Sequence, residues 1–204
     1  MKSTFAVFFT IVLTMIIVSS CGGNVKNDMQ NNAEIVIDDD YYAFKGFSLK
    51  PYDIPVMIML PDETSDIGAS TKPEIIHEED DFKWELKLGF EGPNGSNYHM
   101  CIDDWGDYTD MVETRKKELK ELDFYKIRYI IDEKDFILYE QTLMAKGKPE
   151  ADDKVFKSHK SYHVYAQKVI DGVTYVFRSS DDGFIKSYIE LMAKSIKSVK
   201  QLKS

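Results

Sequence analysis

The chain has 204 residues, 43% of them hydrophobic, and 35 acidic residues outweigh 26 basic ones for a formal charge of −9. That length is enough for one domain with a real core. The acidic balance disfavours nucleic-acid binding, which needs basic groups to displace counterions.

Phe5 to Val18 is an unbroken run of about fourteen apolar residues and threonines, preceded by Lys2 as the only charge. A membrane-spanning helix needs roughly 20 apolar residues. A positive start, a short apolar stretch and then the small residues Ser19 and Ser20 describe a secretory signal over residues 1–20. Val18-Ser19-Ser20-Cys21 resembles the lipobox of bacterial lipoproteins, with valine where leucine is commoner. The resemblance implies that the Cys21 thiol receives a diacylglycerol and that cleavage falls just before it. It also implies that the new amine is often acylated too, with palmitate the expected acyl group. One acyl chain gives marginal attachment and two or three hold firmly. Gly22 rather than aspartate follows Cys21, which by the enterobacterial sorting rule points to the outer membrane. Loss of Lys2 leaves one fewer than 26 basic residues against 35 acidic, a formal charge of −10. With Cys21 acylated, Cys101 has no partner for an intramolecular disulfide.

Residues 21–40 are polar and rich in asparagine, a composition that cannot offset chain entropy and reads as a flexible tether. Asp38-Asp39-Asp40 lacks the spacing of a calcium loop and reads as a solvated charge run. The folded domain is expected over residues 41–204. Phe44, Phe47 and Leu49 mark a first strand, and Pro55 to Pro61 a second. Asp62 to Pro73 is a polar loop. Phe82, Trp84, Leu86, Leu88 and Phe90 alternate with polar residues as a half-wet strand. Pro93-Asn94-Gly95 turns it into a return strand, Tyr98 to Asp103.

A helix follows with Asp107 as N-cap and Asp110 in the first turn. Tyr108, Met111, Val112, Leu119 and Leu122 form its apolar stripe, and Arg115 lies on its wet side. Four strands are expected at Lys126–Ile131, Asp135–Met144, Tyr162–Ile170 and Val173–Ser179. A second helix runs from about Asp182 with Ile185, Ile189, Met192 and Ile196 at helical spacing. The later strands carry apolar residues on both faces, as in Phe136-Ile137-Leu138-Tyr139, and so need cover on both sides. The expected fold is α+β: an antiparallel sheet with helices on both faces, an α/β/α sandwich with the Trp84 strand near an edge. This element order, roughly ββββ-α-ββββ-α, resembles the PsbP-like family. The resemblance implies an accessory or protein-binding role and carries over no functional residue.

Catalytic and metal constellations are sparse. His159 and His163 are four apart, but on a strand that spacing separates them by about 13 Å, so they read as surface histidines. His77 and His99 have no partner motif. Cys101 has Asp103 and Asp104 as sequence neighbours, which disfavour a thiolate, and it reads as a small hydrophobe. Asp103, Asp104 and Asp107 cluster between a strand and a helix. They are candidates for calcium, although helix capping also accounts for Asp107. The long stretches Asp62–Pro73 and Ala145–Ser161 read as solvated loops, the second with Phe156 available for a partner.

The functional reading is a non-enzymatic lipoprotein of a bacterial cell envelope, anchored through lipid on Cys21. It faces the periplasm or the exterior, serves as an accessory or protein-binding module with an envelope protein as partner, and needs no cofactor. A calcium- or small-ligand-binding sensor and an envelope hydrolase are the alternatives.

Overall fold

Two strand faces with opposite chemistry organise the chain. In the computed structural model, residues 37–65, 72–78, 81–92, 95–144 and 160–203 are described, and all belong to one compact unit. Cys21 and its surroundings, residues 93–94, the 145–159 segment with Phe156 and His159, and much of the 62–73 loop lie outside them. Seven strands form one antiparallel sheet: β3 (Glu74–Ile76), β4 (Lys83–Gly92), β5 (Gly95–Asp104), β6 (Tyr125–Asp132), β7 (Phe136–Leu143), β8 (Lys160–Ile170) and β9 (Val173–Ser179). Their spatial order is β3-β4-β5-β9-β8-β7-β6. A separate three-stranded sheet joins β1 (Phe44–Ser48), β2 (Val56–Pro61) and the two-residue β10 (Lys200–Gln201) in the order β1-β2-β10. Helix α1 spans Met111–Glu121, and helix α2 spans Lys186–Lys197.

Side chains alternate across each strand, so the large sheet has two unlike faces. Trp84, Leu86 and Leu88 of β4, Tyr98, Met100 and Ile102 of β5, Val164 and Ala166 of β8, and Phe177 of β9 all enter one core. Ile54, Val56, Ile58 and Leu60 around β2 close that core, together with Ile189, Met192, Ala193 and Ile196 of α2. The opposite face carries Lys83, Glu85, His99, Cys101, Asp103, His163, Tyr165, Gln167 and Arg178, by the same alternation. There α1 buries Met111, Val112 and Leu119, and two of these, Val112 and Leu119, pack with Ile137 and Tyr139 of β7.

The expected α/β/α sandwich is therefore not what forms. The described residues are mostly β, with ten strands in two antiparallel sheets and two α-helices. The first two strands do not join the large sheet but pair with each other, and β2 also pairs with β10, so a strand layer shares the core face with α2. On the other face α1 is too short to span seven strands. The PsbP-like element order also omits β3 and β10. The Trp84 strand does lie near an edge, as expected: among the described residues only the three-residue β3 pairs outside it, with Ile75 opposite Leu86. Phe82, read as the first core position of that strand, is 70% exposed.

Local chemistry sets the joints. Asp171 and Gly172 both take positive φ, 51° and 85°, as a two-residue turn between β8 and β9 requires. The segment before β1 straps onto α2: the Lys194 ammonium meets the Asp38 carboxylate at 2.5 Å and lies 5.1 Å and 5.2 Å from the Tyr41 and Phe44 ring centres. Ser198, after α2, donates to the Ser195 carbonyl at 2.5 Å and accepts from the Met59 amide of β2 at 2.8 Å.

The start of α1 departs from the expected cap. The helix begins at Met111, and Asp110 is the N-cap in a left-handed conformation, φ 61°, without a side-chain cap bond. Asp107 lies upstream and exposed. The cap comes from β8 instead: Gln167 Oε1 accepts from the Val112 amide at 3.0 Å, while its Nε2 donates to Asp135 Oδ1 at 3.0 Å. A buried carboxamide thus satisfies a helix-end donor that no local side chain reaches. Gln167→Ala is expected to cost about 1–2 kcal/mol and to speed hydrogen exchange in the first turn of α1. Unchanged exchange there would contradict this role.

Candidate functional site

Because α1 lies over the β6-β7-β8 end of the polar sheet face, a cleft of about 400 Å³ opens between the helix, the 105–109 loop, and strands β4, β5, β8 and β9. Its floor is built on two arginines. Arg178 Nε donates to Asp103 Oδ2 at 2.7 Å, and its Nη1 donates to Asp181 Oδ1 at 3.2 Å. Arg115 of α1, expected on the wet side, is turned inward. Its Nη1 donates to Glu118 Oε2 at 3.0 Å and its Nη2 to the Tyr139 hydroxyl at 3.3 Å, and its guanidinium stands 5.9 Å from the Tyr165 ring centre. Burial pushes the Tyr165 hydroxyl up to about 12, with Arg115 opposing part of the effect.

The rim is the segment Trp105-Gly106-Asp107-Tyr108-Thr109. It is pinned to the sheet by Trp105 N–H donating to the Thr174 carbonyl at 2.9 Å and Thr174 N–H donating to the Gly106 carbonyl at 2.7 Å. Trp105 and Tyr108 remain 41% and 65% exposed, with ring centres 6.1 Å apart in an edge-to-face arrangement. Tyr108, read as part of the helix stripe, precedes the helix and faces the cleft.

The three aspartates do not converge on a common point. Asp103 is paired with Arg178. Asp104 Oδ1 accepts from the Gly106 amide at 2.7 Å, closing its own turn. Asp107 is exposed on the rim. Among the described residues no group of three His, Cys, Asp or Glu side chains is placed to hold a metal ion.

Two nucleophile–histidine contacts occur on this face. Cys101 Sγ lies 4.0 Å from His99 Nε2, and Glu85 Oε2 lies 3.1 Å from that same nitrogen. A triad needs the carboxylate on the other ring nitrogen. Burial pushes the Cys101 thiol up to about 11, so it stays protonated at neutral pH. Ser161 Oγ lies 2.9 Å from His163 Nε2. His163, read as a surface residue, is 4% exposed and stacks on Tyr139 with ring centres 5.1 Å apart. Burial, aided by the Arg115 charge, pushes it down to about 4, which makes it a poor base at neutral pH. Sequence reasoning treated His163 as half of an i, i+4 pair. The signal that placed it was the alternation His163, Tyr165, Gln167, which puts all three on one face. Arg178 carried no such signal, since its partner Asp103 is 75 residues away.

The chain matches no known family model and no curated protein.

Two outcomes follow for His163. The native state favours the neutral imidazole and the unfolded chain takes a proton near pH 6.5. Stability is therefore level above that pH and falls as the pH drops from about 6.5 towards about 4. By pH 4.5 the loss should reach about 2 kcal/mol, and His163→Gln should remove that share from the melting curve. Equal slopes for both proteins between pH 6.5 and 4.5 would exclude a buried neutral His163. Gly183 sits against the same ring with φ 69°, and an added Cβ would meet the imidazole at 2.6 Å and Ser161 Cβ at 2.7 Å. Gly183→Ala should cost about 2–4 kcal/mol in denaturant unfolding, and a change under 1 kcal/mol would show that the ring is free to move.

Proposed function

We propose that this chain is a lipid-anchored accessory module of the bacterial cell envelope that binds a component there through the cleft and catalyses no reaction. The observation that carries the reading is the cleft itself, lined by two acid-paired arginines and two exposed aromatic rings. Tryptophan, tyrosine and arginine dominate recognition surfaces because they combine large contact area with fixed hydrogen-bonding geometry. Support against catalysis comes from the protonation states beneath that surface. The Cys101 thiol and the His163 imidazole are shifted away from the forms a nucleophile and a base need. Support for the anchor comes from the lipobox-like Val18-Ser19-Ser20-Cys21. Among the described residues no helix is long and apolar enough to cross a membrane.

In detergent phase separation the wild-type protein, expressed with its leader in a bacterial host, should enter the detergent phase and Cys21→Ser the aqueous phase. Aqueous partitioning of both would overturn the anchor. A photo-crosslinking residue at Tyr108 should capture an envelope component that the same probe at Tyr42 does not. Tyr42 is 84% exposed and lies on the strap that packs against α2. Identical capture from both positions would overturn the cleft as the recognition surface.

A further inference from the structure

We infer that the mouth of the cleft docks a basic segment of a protein partner, with lysine or arginine side chains laid across the Trp105 and Tyr108 rings. The inference rests on reading the cleft as the recognition surface and adds the chemistry of what docks there.

The mouth is apolar at its centre. Tyr108 is 65% exposed, Trp105 41%, and Val169 of β8 63%. Val169 stands opposite Thr174 of β9, and Thr174 exchanges two backbone bonds with Trp105 and Gly106, which sets the valine next to the rim. Three large apolar side chains thus meet solvent around one rim, where a partner that covered them would gain contact area.

Charge selects the occupant. Inside the cleft Lys83, Arg115 and Arg178 face Asp103, Glu118 and Asp181, and both arginines are held by acids. The rim adds acids alone. From Asp103 to Glu113 the chain carries Asp104, Asp107 and Asp110 between those two acids, and no lysine or arginine. Asp107 and Asp110 are exposed and form no ion pair among the described residues. An anionic partner would be repelled by these carboxylates and would find the arginines already paired. A neutral apolar partner would cover the rings at the cost of desolvating Asp107 and Asp110. A cationic partner serves both the rings and the carboxylates.

Lysine and arginine have the matching anatomy. Their aliphatic stems lie along apolar surface while the head group stays at its polar margin. The head group is also attracted to the face of a tryptophan or tyrosine ring. The fold already makes this contact on its other side, where Lys194 lies 5.1 Å and 5.2 Å from the Tyr41 and Phe44 ring centres and pairs with Asp38. Two aromatic rings beside an aspartate are the same groups that the cleft mouth presents to solvent. A single small cation reaches only one ring or one carboxylate at a time. A polypeptide with several bases reaches both rings and both carboxylates.

The test is fluorescence anisotropy of labelled hexa-arginine, hexalysine, hexaglutamate and a neutral glycine-serine hexapeptide with the full-length protein in a non-ionic detergent at low ionic strength. At least one basic peptide should bind, and the acidic and neutral peptides should not. Added salt should weaken the binding. Trp105→Ala should weaken it about fivefold or more without shifting the melting temperature, and Trp105→Phe should fall between the two. The pair Asp107→Asn and Asp110→Asn should lose a similar factor. The pair Asp39→Asn and Asp40→Asn removes the same charge from exposed positions on the strap and should bind as the wild type does. Of the two tryptophans, Trp84 is 6% exposed and Trp105 41%, so quenching of the exposed emission by the basic peptide should report the same site. Failure of both basic peptides, equal binding of hexaglutamate, wild-type affinity of Trp105→Ala, or equal losses from the two aspartate pairs would overturn the inference. Quenching by choline at the concentration that suffices for hexa-arginine would assign the rings to a small organic cation and overturn it as well. If the basic peptides fail while the Tyr108 probe captures a component that the Tyr42 probe does not, the basic segment is wrong and the recognition surface stands. If the two probes also behave alike, both fall.

Discussion

The two-residue repeat of strands β4, β5, β8 and β9 is the constraint from which the rest follows. It sends Trp84, Met100, Ala166 and Phe177 to one side and Glu85, Cys101, Tyr165 and Arg178 to the other. The oily side has to be covered, and the chain covers it twice over, with the β1-β2-β10 sheet and with α2. The polar side cannot be closed the same way, since a full apolar lid would strand its charges. It accepts one short helix where Ile137 and Tyr139 offer an apolar footing, and it stays open where they do not. The cleft is what remains between those two demands.

Long-range bonds then fix what the alternation leaves loose. Gln167 caps α1 from across the sheet and is itself held by Asp135. Arg178 reaches back to Asp103 on the neighbouring strand. Thr174 exchanges two backbone bonds with the rim segment. Each ties an element of the cleft to an interior strand rather than to a neighbour in sequence. The rim backbone is therefore pinned at Trp105 and Gly106.

Much of this was legible in the sequence, and the reasons for the rest are specific. Alternation placed β4 and β5, apolar runs rich in β-formers placed β7, β8 and β9, and Asp171-Gly172 marked its turn. The three residues of β3 and the two of β10 carry no usable pattern, because a partner strand defines them. The helix start moved from Asp107 to Met111 because its cap is 55 residues away in the chain. The sandwich failed because pattern reports how much cover a strand needs and not which element supplies it. For β2 and its neighbours the answer was a second sheet. Arg115 and Tyr108 were assigned by helical spacing to the wet side and the stripe, and the shortness of α1 exchanged those roles.

The strap of Asp38, Tyr41 and Phe44 over Lys194 has a mechanical consequence. The described chain enters the fold on the α2 side of the large sheet, and the cleft opens on the other. A pull applied upstream of Asp38 loads the Lys194 clamp and the small sheet first. The seven-stranded sheet stands between that load and the rim rings, so tension on the N-terminal segment can rise without distorting the cleft.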